Sequence, residues 1–215
     1  MRSRETCQHC LRAARNCICS CVRPVHTRHE LLILQHPLEI SHVKGSGRLL
    51  HLCLPGSSLI LAGEQFEQAV LAQALHGDWH SGAVAEAPQS ARLTVLLYPD
   101  TTESEAEDLH SHGSAWEPSA CEAPLRLVVL DATWRKSRKM LYLNPLLQAL
   151  PRWSLRQMPA SHYRIRKAHQ PDQLSTLEAS TYALMALQPE ADFSPVLQAF
   201  DQMVERQLGW MQQGS

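Results

Sequence analysis

The amino-acid sequence predicts an α/β fold, a mostly parallel sheet with flanking helices, joined to a Cys-rich knuckle at its N-terminus. Three observations lead there. The stretches ELLILQHP (30–37), LTVLLYPD (93–100) and LRLVVLDAT (125–133) are nearly continuous apolar runs of strand length that end in polar residues or Pro. Parallel strands buried on both faces look like this. Helical periodicity lies between and after these runs, and strands alternating with helices imply a single α/β sheet. Five of the seven cysteines crowd between Cys7 and Cys21.

A chain of 215 residues can bury one proper core with a small appendage. The expected division is a knuckle over 1–25 and a main domain over 26–215. Twenty Lys and Arg against 21 Asp and Glu leave the chain nearly neutral. That average hides an asymmetry. Residues 100–124 hold seven acids and no Lys or Arg, leaving 14 acids against 20 bases and a charge of +6 elsewhere. The acidic stretch reads as a solvated loop. No segment approaches the roughly 20 apolar residues that span a bilayer, and no signal-peptide core opens the chain. A cytoplasmic protein without a membrane partner is expected. In that compartment clustered cysteines are metal ligands or buried thiols rather than disulfides.

The first element is CQHCLRAARNCICSC (7–21). Its C-x2-C pair places two sulfurs on one tight turn, and four thiolates satisfy tetrahedral zinc. Cys7, Cys10, Cys17 and Cys19 are the expected ligands, with Cys21 the substitute for either of the last two. A closed four-thiolate site has no open position, so the zinc would be structural. The alternative is a fortuitous cluster in a tail. Cys53 and Cys121 read as isolated thiols.

EQFEQAVLAQALHG (64–77) repeats Phe66, Val70, Leu71 and Leu75 at helical spacing before Gly77. The run ending in LVVLD then meets a lone carboxylate at Asp131. In an open α/β sheet, ligands bind beyond the carboxyl ends of the strands. Asp131 is therefore either a site residue or the N-cap of the helix starting near Thr133. Arg135, Arg138 and Lys139 follow at i, i+3 and i+4, on one face of that helix. Cations are disfavoured near a helix N-terminus by about 0.3–1 kcal/mol each, so their presence suggests an anionic partner such as phosphate. A solvated basic face is the alternative. The helix stops at Asn144 and restarts with Pro145 at the first position.

SHYRIRKAH (161–169) alternates like a strand, with Arg164 and Arg166 on one face and Tyr163 and Ile165 on the other. Arg beside Tyr suits RNA contacts, though an ordinary edge strand reads the same way. In LSTLEASTYALMAL (174–187), Ser175 and Glu178 form a capping box. Its amides either serve only the helix or receive a ligand carboxylate. The last segment, from Ser194 as N-cap and Pro195 through Leu208, is an amphipathic packed helix. The alternative for this helix is a partner-binding element; no protein partner is otherwise evident.

The segments LLILQHPLE, RLLHLCLPGSSLILAG, LLYPD, LDATWRKSRKML, LPRWSL, SHYRIRK and LSTLEAS occur in this order. Together they resemble the motifs of the DTW-domain family, whose D-x-T-W is matched by Asp131, Thr133 and Trp134. The cysteines match its knuckle, and the resemblance runs from Cys7 to about Leu208. GSGRLL departs from the family's small-Thr-Ala-Arg pattern before Arg48, and the acidic stretch resembles an insertion.

The resemblance implies a SPOUT-like fold with a C-terminal knot and a tRNA-uridine aminocarboxypropyltransferase. Such enzymes move the 3-amino-3-carboxypropyl group of S-adenosylmethionine to N3 of a uridine in tRNA and release methylthioadenosine. It implies Asp131 as the base for the N3 proton, or as a group that positions uracil or the ammonium. Leu130, Thr133, Leu174, Ser175 and Thr176 would line the S-adenosylmethionine site. Arg48, Arg135, Arg138, Lys139, Arg164 and Arg166 would meet the RNA. His36 and Glu39 match a further motif, although Pro37 and Glu39 equally suit a plain helix start. A SPOUT-type methyltransferase and a non-catalytic zinc-knuckle RNA-binding module are the other readings.

Overall fold

The structure, a computed structural model, describes residues 5–79, 92–99, 113–118, 123–156, 158–161 and 174–213. It divides into two compact units. One contains Met1–Thr27, Leu38–Gly56 and Gln157–Ser215, and the other Arg28–Pro37 and Ser57–Arg156. The described strands are β1 Glu30–Gln35, β2 Ser58–Ala62, β3 Thr94–Leu97, β4 Arg126–Asp131 and β5 Arg152–Trp153. The described helices are α1 Gly47–Cys53, α2 Gln68–His76, α3 Trp134–Leu143, α4 Pro145–Gln148, α5 Thr176–Leu187 and α6 Ser194–Gln213.

The sheet lies wholly in the second unit, in the order β2-β1-β4-β3-β5. Every pairing is parallel, as the apolar runs predict. Leu31 through Leu34 are fully buried, so both faces of β1 are covered. On one face Leu32, Leu34, Leu96, Tyr98 and Val128 form a core with Leu71 and Leu75 of α2, Met140 and Leu141 of α3, and Leu147 of α4. Val70, expected on the apolar stripe of α2, is 44% exposed. The helix starts only at Gln68, and Phe66 precedes it.

β1 and β4 start on charged residues, and the structure pairs them. Glu30 takes Arg126 Nε at 2.7 Å, with Arg92 beside it. Arg126 also donates to the Ala74 and Gly77 carbonyls at the end of α2, at 3.0 and 2.8 Å. Its guanidinium lies 4.1 Å from the centre of the Trp79 ring. At the other edge, Arg152 N–H donates to Ser114 O and Trp116 N–H to Arg152 O, so a short segment extends the sheet beyond β5. Beside it, a Cβ at Gly113 would meet Leu150 O at 1.6 Å. No side chain larger than hydrogen fits there.

In the first unit, an antiparallel bridge between Thr6 and Ala13 closes a small hairpin. Its tip turns through Leu11 at φ 59°. Helices α1, α5 and α6 pack on one another. Leu49, Leu50, Leu177, Leu184, Phe200 and Met203 are buried there. Ser194 is already helical, and the cap bond comes instead from Asp192, whose Oδ1 accepts the Ser194 N–H at 2.9 Å. Segment 162–173, with Arg164 and Arg166, lies outside the described residues, as does Cys121. Among the described residues no helix is long and apolar enough to cross a membrane.

Candidate functional site

All five strands run the same way, so their carboxyl ends meet on one edge of the sheet, where α/β proteins bind ligands. Asp131 is the last residue of β4 and is 4% exposed. Its register partner on β1 is Gln35, whose Nε2 donates to Asp131 Oδ2 at 2.8 Å. The next amide, His36 N–H, donates to the Asp131 carbonyl at 3.0 Å. Thr133, not Asp131, occupies the N-cap position of α3, and no side chain makes a capping bond there. The carboxylate is therefore fixed by the neighbouring strand. Gln35 and Asp131 point to the sheet face opposite Leu34 and Leu130, and so away from α2, α3 and α4.

On the helix-covered face, Glu64 joins two basic groups. Its Oε1 is 3.2 Å from His36 Nε2, and its Oε2 accepts Lys139 Nζ at 2.8 Å. The Lys139 bond, followed by that of His36, holds the Glu64 carboxyl below the usual range. Asn144 fixes the loop that carries it, donating to Glu64 O and accepting Phe66 N–H, each at 2.9 Å. Lys139 is thus already paired with an acid, while Arg135 and Arg138 are exposed on α3. Trp134 stacks on Tyr98 with ring centroids 5.3 Å apart and planes 17° from parallel, and is itself 41% exposed. Leu130 and Thr133 flank Asp131 and are half-buried.

In the other unit, the sulfurs of Cys7, Cys10, Cys17 and Cys19 all lie within 4.8 Å of one another. Cys7 and Cys19 are 3.6 Å apart, and Cys10 and Cys17 3.8 Å. A tetrahedral zinc with bonds of about 2.3 Å spaces sulfurs about 3.8 Å apart. The donor set fits that ion. The Cys10 and His9 amides draw the Cys7 thiol down to about 6. Burial, with the neighbouring thiols, pushes Cys19 up. Cys21 is buried apart from the group, with Arg206 Nη1 3.7 Å from its sulfur. Arg48 Nε donates to His9 O at 3.0 Å in an exposed bond that ties α1 to the knuckle.

The capping box at α5 is present in full. Glu178 N–H donates to Ser175 Oγ at 3.2 Å, and Ser175 N–H to Glu178 Oε2 at 2.8 Å. Ser161 Oγ donates to the same carboxylate, and Leu177 N–H is taken by Ser46 Oγ at 3.3 Å. These amides are satisfied within the protein. Leu174, Ser175 and Thr176 thus lie in a different unit from Leu130 and Thr133. Gln35, Glu64, Tyr98 and Arg152 escaped the sequence reading. Gln35 alone carried a local signal, being polar at the end of an apolar run like Asp131.

Comparison with known proteins follows the same span. The DTW domain family matches residues 4–208. The chain is 27% identical over 188 residues to tRNA-uridine aminocarboxypropyltransferase 2 of Mus musculus, covering 86% of this chain and 57% of that protein. It is 28% identical over 198 residues to the Drosophila melanogaster protein of the same name, covering 90% and 71%. To tRNA-uridine aminocarboxypropyltransferase A of Arabidopsis thaliana it is 28% identical over 148 residues, covering 64% and 50%. The chain thus spans somewhat more than half the length of the mouse relative. No solved structure matches it. With the D-x-T-W at a strand end and the four-cysteine cluster in one span, the chain belongs to the DTW domain family.

Proposed function

We propose that this chain is a tRNA-modifying transferase that moves the 3-amino-3-carboxypropyl group of S-adenosylmethionine to N3 of a uridine. The names of its relatives support the transferase and the tRNA substrate. The observation that carries the chemistry is the placement of Asp131, a buried carboxylate at the ligand-binding edge, fixed by Gln35 rather than used to cap α3.

The sulfonium activates each of its attached carbons, so the protein's task is to choose which one meets the nucleophile. Uracil N3 attacks the terminal methylene of the aminocarboxypropyl arm, the C–S bond breaks, and its electron pair stays on sulfur as methylthioadenosine leaves. The N3 proton passes to Asp131 as the new bond forms. Gln35 holds that carboxylate in one orientation. Leu130 and Thr133, which flank Asp131, contact S-adenosylmethionine. Exposed Arg135 and Arg138 meet tRNA phosphates, with Arg48, Lys139, Arg164 and Arg166 the further RNA contacts. Cys7, Cys10, Cys17 and Cys19 hold a structural zinc, the C-terminal segment forms a SPOUT-like knot, and the protein acts in the cytoplasm.

Incubation with tRNA and S-adenosylmethionine tests the reaction. Methylthioadenosine, with a matching mass gain on a uridine, is the expected product. S-adenosylhomocysteine would make the protein a methyltransferase, and neither product, with tRNA still bound, would make it an RNA-binding module.

A further inference from the structure

Gln35 closes β1 at its carboxyl end, where its backbone is held from both sides. Gly63 N–H, just past β2, donates to its carbonyl at 2.9 Å, and on the other side its register partner is Asp131 of β4. Among the described residues its side chain makes a single hydrogen bond, from Nε2 to Asp131 Oδ2 at 2.8 Å. Gln35 is 4% exposed, yet its amide oxygen is not one of the enclosed polar atoms that lack a partner. The unpartnered end of the amide therefore reaches the sheet edge instead of being sealed in the core.

Orienting a carboxylate does not by itself require a carboxamide. A cation in this place would hold Asp131 as firmly, but it would also make the carboxylate a weaker base. The neutral amide avoids that cost. It also carries two N–H donors on Nε2, of which Asp131 takes one. The second lies beside the carboxylate, so that a donor and an acceptor sit next to each other at the strand ends, on the same face of the sheet.

That order complements an imide. Uracil presents N3–H flanked by two carbonyls, whereas cytosine presents a bare N3 lone pair to the carboxylate. Enzymes that act on a base read it by hydrogen bonds along this edge. During transfer N3 gives its proton to Asp131 and its electron pair to the methylene carbon, while the C–S pair leaves with sulfur. The negative charge that builds on the ring is shared by the carbonyl oxygens, and a fixed donor at one of them stabilises it. We propose that Gln35 is a catalytic residue that donates its second Nε2 N–H to the uracil carbonyl beside N3, so that the Gln35–Asp131 pair reads the imide edge of the target uridine; this rests on the transferase reading above.

Single-turnover transfer to three tRNAs tests it: one unsubstituted, and one each with 2-thiouridine or 4-thiouridine at the position that the product assay identifies. Sulfur accepts hydrogen bonds weakly. Its effect on N3 acidity is common to any two enzymes compared on the same RNA, and cancels in the ratio of their rates. Gln35→Met should slow transfer to the unsubstituted tRNA by roughly 10²- to 10³-fold, the range for loss of an oxyanion donor. Binding of tRNA and S-adenosylmethionine should stay within about twofold, because the contact strengthens only as charge develops. For one of the two sulfurs, the wild type should lose roughly tenfold or more relative to the variant, and for the other the two enzymes should respond alike. Gln35→Asn, which keeps an amide but draws it back by one methylene, should give the same pattern and serves if the Met variant does not fold. If both enzymes respond alike to both sulfurs, Gln35 only positions Asp131 and the proposal fails. Wild-type protein that forms no methylthioadenosine with unsubstituted tRNA overturns the transferase reading itself.

Discussion

Gln35 donates to Asp131 across the β1–β4 pair at 2.8 Å, and the carboxylate therefore belongs to the sheet rather than to the helix that follows. Asp131→Asn keeps an acceptor for Gln35, so the protein should remain folded and bind tRNA. Single-turnover transfer should slow by roughly 10²- to 10⁴-fold, the range for loss of a general base. Asp131→Ala also strands the buried Gln35 amide and should cost about 1–3 kcal/mol of stability. Near-normal turnover by a stable Asn variant would remove Asp131 from the chemistry.

The purified protein should carry one zinc, measured by elemental analysis. Cys7→Ser or Cys17→Ser should release it and lower the melting temperature. Cys21→Ser should retain the metal, because Cys21 stands outside the four-sulfur group. Metal lost equally from the Cys21 variant would redraw the ligand set.

The cations of α3 should contribute unequally to tRNA binding. Arg135→Ala should lower the log–log salt slope of affinity by roughly 0.7–0.9. Lys139→Ala and Arg48→Ala should change it less, because Glu64 and the His9 carbonyl already engage those side chains. Equal slopes in all three variants would contradict this division.

Glu64 should leave a mark on the acid limb of stability. Its carboxyl is held below the ordinary 4.5 by Lys139 and then His36. A depressed folded pKa gives stability that is present above the unfolded value and lost as pH falls through the folded one. Melting temperature should therefore drop below pH 4.5, and Glu64→Gln should flatten that drop. The group is largely solvated, so the effect should be small and should shrink in salt. An unchanged acid limb in the Gln variant would mean that the contacts carry no stability.

The parts of the fold that could be read from sequence were those with both faces buried. β1, β3 and β4 announce themselves as apolar runs, whereas β2 is a half-exposed edge strand and β5 has two residues. β5 is too short to establish a period, and the exposure of β2 does not alternate along the strand. The cysteine ligands were legible because their spacing is local. Asp131 was legible as a polar residue closing an apolar run. Its partner was not, since nothing near Gln35 encodes a register with a residue 96 positions away. Arg152 was hidden for a similar reason: an Arg between Pro151 and Trp153 reads as solvated until the sheet is assembled around it.

The β1–β4 pairing also sets an order of events during synthesis. β1 leaves the ribosome early, but its partner on that side follows only after 96 further positions. Closing a loop of that length costs about 4 kcal/mol in chain entropy. Until then β1 can pair only with β2, and its other edge presents unsatisfied amides and carbonyls beside fully apolar side chains. Nascent chains stalled before Arg126 should therefore recruit chaperones or self-associate, and release from that state should come abruptly once Asp131 has cleared the exit tunnel.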